Sequence, residues 1–268
     1  MSTRRIARCP PDAMTGADSD IHQTLDATAA VVLAAGLGKR FGGEHAKVMA
    51  PFHGRPLVQW VTDALDEAGI KRVVVVIGHH GEEVERLFPP GRVAFAWQHE
   101  RLGTGHALCQ CEPLLRGHQG HVLVLLGDAP CVRPQTIRDL LRLHREAHAA
   151  ATILSAEVAD PSGYGRIVRA ADGTVDRIVE HRDADERIRS IREINSGMIA
   201  FRSELLWPNL ERVDNDNAQG EYYLTDVIGF LRDGGHKVMA YIAPDPREVL
   251  GVNSPDDLRL LESLFPQM

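Results

Sequence analysis

Ala27-Thr-Ala-Ala-Val-Val-Leu-Ala-Ala35 is a short apolar run that stops at Gly36-Leu-Gly-Lys-Arg-Phe-Gly-Gly43. An apolar stretch without polar alternation suits a strand covered on both faces, so the pair predicts a buried strand followed by a Gly-rich loop. Working outward, Leu57, Val61, Ala64, Leu65 and Ala68 recur at helical spacing, and Gly69 closes that helix. Val73–Ile77, Arg92–Trp97 and Val122–Leu126 read as further strands, with helical stretches around Glu82–Phe88 and Thr104–Leu115 between them. Strands alternating with helices imply a parallel sheet with right-handed crossovers. The first half is therefore expected to be a doubly wound α/β unit, with ligands beyond the carboxyl ends of its strands.

The texture changes after residue 150. Ala151–Val158, Gly165–Arg169, Val175–Glu180 and Glu193–Phe201 read as strands joined by turns such as Ala171-Asp-Gly-Thr174. Helical patterns return at Tyr222–Arg232 and Pro255–Leu264, with a strand at Lys237–Ile242 between them. We expect a second lobe that completes the same sheet. The division is then a disordered leader over residues 1–28 and one domain over 29–268, split into halves at 29–150 and 151–268.

The chain has 268 residues, 44% apolar and 25% charged, the usual balance of a globular protein with a real core. Its formal net charge is -7, and beyond Arg4-Arg5 it offers no basic block. Nucleic acid is therefore not an expected partner, since such proteins need a basic face to displace counterions. No apolar run approaches ~20 residues, so no membrane span is expected. Cys9, Cys109, Cys111 and Cys131 lack the spacing of paired zinc ligands. Free thiols and a cytoplasmic location are the expectation.

A strand followed by Gly36-Leu-Gly38 invites a dinucleotide-binding reading, but Phe41 stands at the third glycine position. Pro51, Gly54 and Pro56 also break the helix such a motif needs. What remains is a Gly-rich loop carrying Lys39, Arg40 and Lys47, whose amides and cations suit a triphosphate. Leu33-Ala-Ala-Gly-Leu-Gly-Lys-Arg-Phe41, Lys47 and Gly54-Arg-Pro56 are followed in order by Gln98-His-Glu-Arg-Leu-Gly-Thr-Gly-His-Ala107, Gly127-Asp128 and Gly163-Tyr-Gly-Arg-Ile167. Ile178-Val-Glu-His-Arg-Asp-Ala184, Glu193-Ile-Asn-Ser-Gly197, Asn217-Ala-Gln-Gly-Glu-Tyr-Tyr-Leu-Thr-Asp226 and Val252-Asn253 complete the series. From about residue 29 onward this set resembles the sugar nucleotidyltransferases. It is most similar to the uridyltransferase domain of the bifunctional N-acetylglucosamine-1-phosphate uridyltransferase/glucosamine-1-phosphate acetyltransferase family.

The resemblance implies a Rossmann-like, doubly wound mixed α/β sheet of the nucleotide-diphospho-sugar transferase type, with a smaller sugar-binding lobe. It implies transfer of UMP from UTP to N-acetylglucosamine 1-phosphate, with Mg²⁺ as cofactor and small molecules as the only partners expected. Asp128 and Asn253 would share the metal. By themselves, Asp128 before Pro130 and Asn253 before Ser254-Pro255 read better as turn residues, and the resemblance is what turns the reading to metal. Arg40 would hold the β- and γ-phosphates, and Lys47 would reach the reacting phosphates. Gln98, Gly103 and Thr104, with backbone groups of Leu33, Ala34, Ala35 and Gly36, would read the base. Gly165, Glu180 and Asn195 would hold the sugar, with Tyr222, Tyr223 and Thr225 on the same side. His106 lies in a matched motif without an assigned role.

Three departures stand out. Ala46 replaces the proline that usually precedes the loop lysine. Leu126 precedes Gly127 where this family often has tyrosine. No hexapeptide repeat is visible, so the resemblance extends to the uridyltransferase half-reaction alone. The alternatives are the same chemistry on glucose 1-phosphate with UTP or dTTP, or a non-catalytic sugar-nucleotide-binding regulatory subunit. The sequence leaves the oligomeric state open.

Overall fold

The computed structural model describes residues 16–266 except 37, 39, 40, 42 and 44. Its strands in chain order are β1 (Thr28–Leu33), β2 (Pro51–Phe52), β3 (Arg55–Pro56), β4 (Arg72–Ile77), β5 (Ala94–Trp97), β6 (His121–Leu126), β7 (Ala151–Glu157), β8 (Arg166–Arg169), β9 (Val175–Val179), β10 (Glu193–Arg202) and β11 (Val238–Ile242). The main sheet runs β11-β7-β10-β6-β1-β4-β5, with β8 pairing β10 and β9 extending from β8. Within it, the run β6-β1-β4-β5 is parallel throughout. β10 is antiparallel to both β6 and β7. The expected parallel half and the completing second half therefore share one mixed sheet.

Side chains alternate across a strand, so β1 feeds two cores. Ala30 and Val32 join Val75, Ile77, Leu123 and Leu125 on one face. Ala29 and Val31 join Val74, Val76, Val122 and Val124 on the other. Helix Leu57–Ala68 covers the first face with Val58, Val61 and Leu65 fully buried. It stops at Gly69, whose φ of 101° is the left-handed conformation that glycine adopts without strain. Truncating a wholly buried residue such as Leu123 to alanine should cost about 2–5 kcal/mol.

The structure corrects four expectations. Residues 1–28 are expected as a leader, but Gly16–Asp26 is a helix that buries Ile21 and Leu25 in the core. Ile21 and Leu25, four apart, lie on one face of that helix, and Asp20 pairs with Arg145 at 3.0 Å, so tertiary packing holds a short polar helix in place. Residues 1–15 lie outside the described residues. The stretch expected to be one helix from Thr104 to Leu115 is two, Thr104–Cys109 and Glu112–Leu115, because Pro113 cannot continue the hydrogen-bond ladder. The helix expected from Tyr222 begins at Asp226, because the backbone of Tyr222 is already bonded to Leu102 and Gly105. A helix at Pro134–Glu146 is an addition to the expected elements; it buries Ile137, Leu140, Leu141 and His144. Among the described residues no helix is long and apolar enough to cross a membrane.

Candidate active site

The carboxyl ends of β1, β5 and β6 open onto one side of the sheet. Parallel strands deliver their following residues to that edge. Leu33 at the end of β1, Ala35 and Gly36 after it, Gln98 after β5 and Asp128 after β6 line a cleft of about 320 Å³ with Lys47, Gly103 and Thr104. Gly127 donates its N–H to Leu33 O at 2.9 Å, which ties the β6 and β1 loops together. A Cβ on Gly127 would sit 3.1 Å from that same carbonyl oxygen. Between Leu33 and Ala35, Ala34 turns its side chain into the core, and its N–H donates to Val76 O at 2.8 Å, which leaves its carbonyl as the backbone group open to contact.

Lys47 enters from the short helix Lys47–Met49. Gly38 lies directly over it, with φ of 58°, and a Cβ there would meet Lys47 Cβ at 3.0 Å. The ammonium bonds Asp128 Oδ2 and also Asn253 Oδ1, the latter at 3.0 Å. Val252 donates its N–H to Asp128 O at 2.8 Å, so the two donor segments run side by side. Two hard oxygen donors thus converge on one cationic atom. That donor set fits a divalent cation completed by phosphate oxygens and water. Among the described residues no cluster of three or more His, Cys, Asp or Glu offers a closed metal cage. Arg40 lies outside the described residues.

Gln98 is buried, at 4% exposure. Its Nε2 donates to Gly103 O at 3.1 Å and lies 3.1 Å from His106 Nδ1. In the tautomer that leaves His106 Nδ1 unprotonated, both amide hydrogens are engaged and the oxygen is left as an acceptor. His106, to which the motif gave no role, therefore orients Gln98. The 102–105 loop docks on the second half. Gly105 N–H donates to Tyr222 O, Tyr222 N–H to Leu102 O, and Leu224 N–H to the Thr104 hydroxyl oxygen at 3.1 Å. A Cβ on Gly103 would lie 2.5 Å from Tyr222 O, so only glycine fits.

Gly165, Glu180 and Asn195 meet in a separate group outside that cleft. Asn195 N–H donates to Gly165 O at 2.9 Å. A Cβ on Gly165 would lie 3.2 Å from Glu180 Oε1, and the Thr225 hydroxyl donates to the same oxygen at 3.2 Å. Burial pushes the Glu180 carboxyl up, against the Thr225 hydrogen bond and with help from Asp183 and Asp226. Asp226 is pushed up to about 6, first by burial, then by Asp214 and Asp183. Leu126 joins the two groups. It lines the cleft and lies within 3.2 Å of the Cβ position of Gly197, whose N–H donates to Asn195 Oδ1. Tyr223 is buried, and its hydroxyl oxygen accepts from Gln219 Nε2 at 2.6 Å.

A mixed α/β sheet whose parallel strand ends open onto a cleft lined by Lys47 and Asp128 describes a nucleotide-handling enzyme fold. The chain belongs to the family of MobA-like NTP transferase domains, which matches residues 30–221. It is 48% identical over 234 residues to the bifunctional protein GlmU of Brevibacillus brevis, covering 87% of this chain and 50% of that one. With the bifunctional protein GlmU of Acetivibrio thermocellus it shares 46% identity over 239 residues, covering 89% and 51%. The chain thus spans about half the length of the curated relatives it matches. In fold it is similar to a UDP-glucose pyrophosphorylase complexed with UDP-glucose, with a TM-score of 0.74 at 19% identity, covering 90% of this chain and 98% of the other.

Proposed function

We propose that this protein transfers UMP from UTP to N-acetylglucosamine 1-phosphate, releasing pyrophosphate. The observation that carries the proposal is the convergence of Lys47, Asp128 and Asn253 beside the cleft that holds Gln98 and Gly103. A phosphate oxygen of the sugar phosphate forms a bond to the α-phosphorus of the triphosphate, and the bond from that phosphorus to the β-phosphate oxygen breaks. The nucleophile is already an anion, so no general base is needed. The barrier lies in the repulsion of two polyanions and in the charge on the leaving pyrophosphate, so positioning and electrostatics supply the catalysis.

Asp128 and Asn253 would hold Mg²⁺. When bound, that ion would draw charge from the phosphates. Lys47 would turn from Asp128 to the reacting phosphates as a mobile point charge. Arg40 would neutralise the β- and γ-phosphates. Gln98, fixed by Gly103 and His106, would offer its carbonyl oxygen to the imide N–H of uracil, with backbone of Leu33, Ala34, Ala35 and Gly36 closing the contact. Glu180, Asn195 and Gly165 would take the sugar hydroxyls and the N-acetyl group. Residues 29–150 and 151–268 would serve as the nucleotide and sugar halves. The chemistry implies small-molecule substrates and a cytoplasmic supply of UTP.

Leu126 favours a second reading of the sugar, because an apolar side chain stands between the two groups where a hydroxyl could have bonded the acceptor. A pyrophosphate-release assay over a matrix of nucleotides and sugar phosphates tests both. Preference for UTP with N-acetylglucosamine 1-phosphate supports the proposal, and preference for dTTP or UTP with glucose 1-phosphate replaces it.

A further inference from the structure

Glu248 is wholly buried, at 0% exposure, although glutamate is almost never so buried without partners. It sits in the short helix Pro246–Val249, ahead of Asn253 in sequence. Its Oε2 accepts the backbone N–H of Arg133 at 3.1 Å. Its Oε1 lies 3.7 Å from Arg133 Nη1 and has no hydrogen-bond partner. The other arm of the Arg133 guanidinium bonds Asp245 Oδ2 at 3.2 Å. Arg133 follows Asp128 on the segment that leaves β6.

These contacts join the same two segments that carry Asp128 and Asn253. Val252 N–H to Asp128 O holds them at the cleft, and Glu248 with Arg133 holds them behind it. Between the two ties, Cys131 and Val252 pack with Phe52, Leu57 and Leu261. An apolar residue at 248 would fill the space but leave the Arg133 N–H without its acceptor. We infer that Glu248 is a positioning residue for the cation pair: its carboxylate clamps the 245–253 segment to the 128–133 segment and so sets the separation of Asp128 and Asn253. This inference rests on the reading of that pair as a divalent-cation site. Groups that orient metal ligands without touching the metal commonly change affinity by about 10–100-fold when removed.

Mn²⁺ binding to the full chain without substrates, followed by electron paramagnetic resonance, tests the clamp. Asp128→Asn should abolish binding; equal binding by wild type and Asp128→Asn would remove the cation reading itself. Glu248→Leu should weaken Mn²⁺ binding by roughly 10–100-fold, and Glu248→Gln, which keeps an oxygen for the Arg133 N–H, should recover most of it. Leu206→Ala, a buried truncation on the opposite face of the sheet, should lower stability and leave Mn²⁺ affinity unchanged; an equal loss there would make the effect general destabilisation. Folded Glu248→Leu with wild-type affinity overturns the proposal. If that variant does not fold, Arg133→Pro decides, since it removes the N–H that Glu248 Oε2 accepts, at a residue whose side chain is half exposed. Its Mn²⁺ affinity must fall, and a wild-type value overturns the clamp.

Discussion

The ammonium of Lys47 is bonded to Oδ2 of Asp128, with Asn253 Oδ1 at 3.0 Å from the same nitrogen. Both partners of that ion pair are largely buried, with side-chain exposures of 13% and 16%. A cation placed between Asp128 and Asn253 therefore competes with Lys47 for the same oxygens.

Lys47→Ala should bind Mn²⁺ more tightly than wild type in the absence of nucleotide, because the internal competitor is gone. Turnover should fall by about a thousandfold, the scale of losing a charge aimed at the transition state. Equilibrium binding and pyrophosphate release separate the two effects. An alanine variant with unchanged Mn²⁺ affinity would show that the lysine does not occupy the cation position.

Glu180→Gln should raise KM for the sugar phosphate by about tenfold or more, with KM for UTP nearly unchanged, since Glu180 lies with Gly165 and Asn195 outside the cleft that holds Gln98. Gln98→Leu should show the reverse pattern. Initial-rate kinetics with each substrate varied in turn check the assignment. If either variant shifts both constants alike, the two subsites are not separate.

How much of the fold and site is legible in the sequence depends on the kind of contact. β1, β4 and β6 are readable because short valine- and leucine-rich runs that end at glycine suit a strand covered on both faces better than a helix. The direction of β10 is not, because the pattern along Glu193–Arg202 looks the same whichever way the strand runs. The helix Pro134–Glu146 has only a narrow apolar stripe among arginines, which hides it, although Pro134 at its first turn is a start signal. Asp128 can be placed at the carboxyl end of a buried strand, but its role, like that of Asn253, is suggested by the family resemblance alone. Glu248 gives no signal, since a glutamate beside Pro246 and Arg247 reads as exposed. Gln98 reads as a base contact, but its fixing by His106 depends on a helix that begins at Thr104.

Thr104 carries a stability prediction. Its hydroxyl oxygen accepts the Leu224 N–H and joins the 102–105 loop to the second half. Thr104→Val keeps the shape and removes the acceptor, which should cost about 1 kcal/mol. In a chain of this size that lowers Tm by about 2–4 °C. Calorimetry checks it, and an unchanged Tm would mean that the loop is held by its backbone bonds alone.

His144 sets an acid limit on stability. It is buried, with Nδ1 at 2.9 Å from the Thr152 hydroxyl and Nε2 without a partner. Burial, and then the charges of His121 and Arg202, push its pKa from 6.5 down to about 3. The unfolded chain therefore binds the extra proton first. The stabilisation is complete above about pH 6.5 and is lost as pH falls toward the folded value, at a cost on the order of a few kcal/mol. Urea unfolding from pH 7 to pH 4 should show this decline in wild type and a shallower one in His144→Gln. Identical slopes would assign the acid sensitivity elsewhere.

The most direct test of the account is the turnover of Asp128→Asn, measured as pyrophosphate release at saturating Mg²⁺, UTP and N-acetylglucosamine 1-phosphate. The substitution keeps the shape and removes one negative charge from the cation pair. Lys47 retains Asn253 as a partner, so the loss of stability should stay below the about 3–5 kcal/mol of breaking a wholly buried ion pair, and a melting curve checks that the variant is folded. The account predicts a folded variant that turns over at least ~10³ more slowly than wild type. Near-normal turnover under those conditions would contradict it.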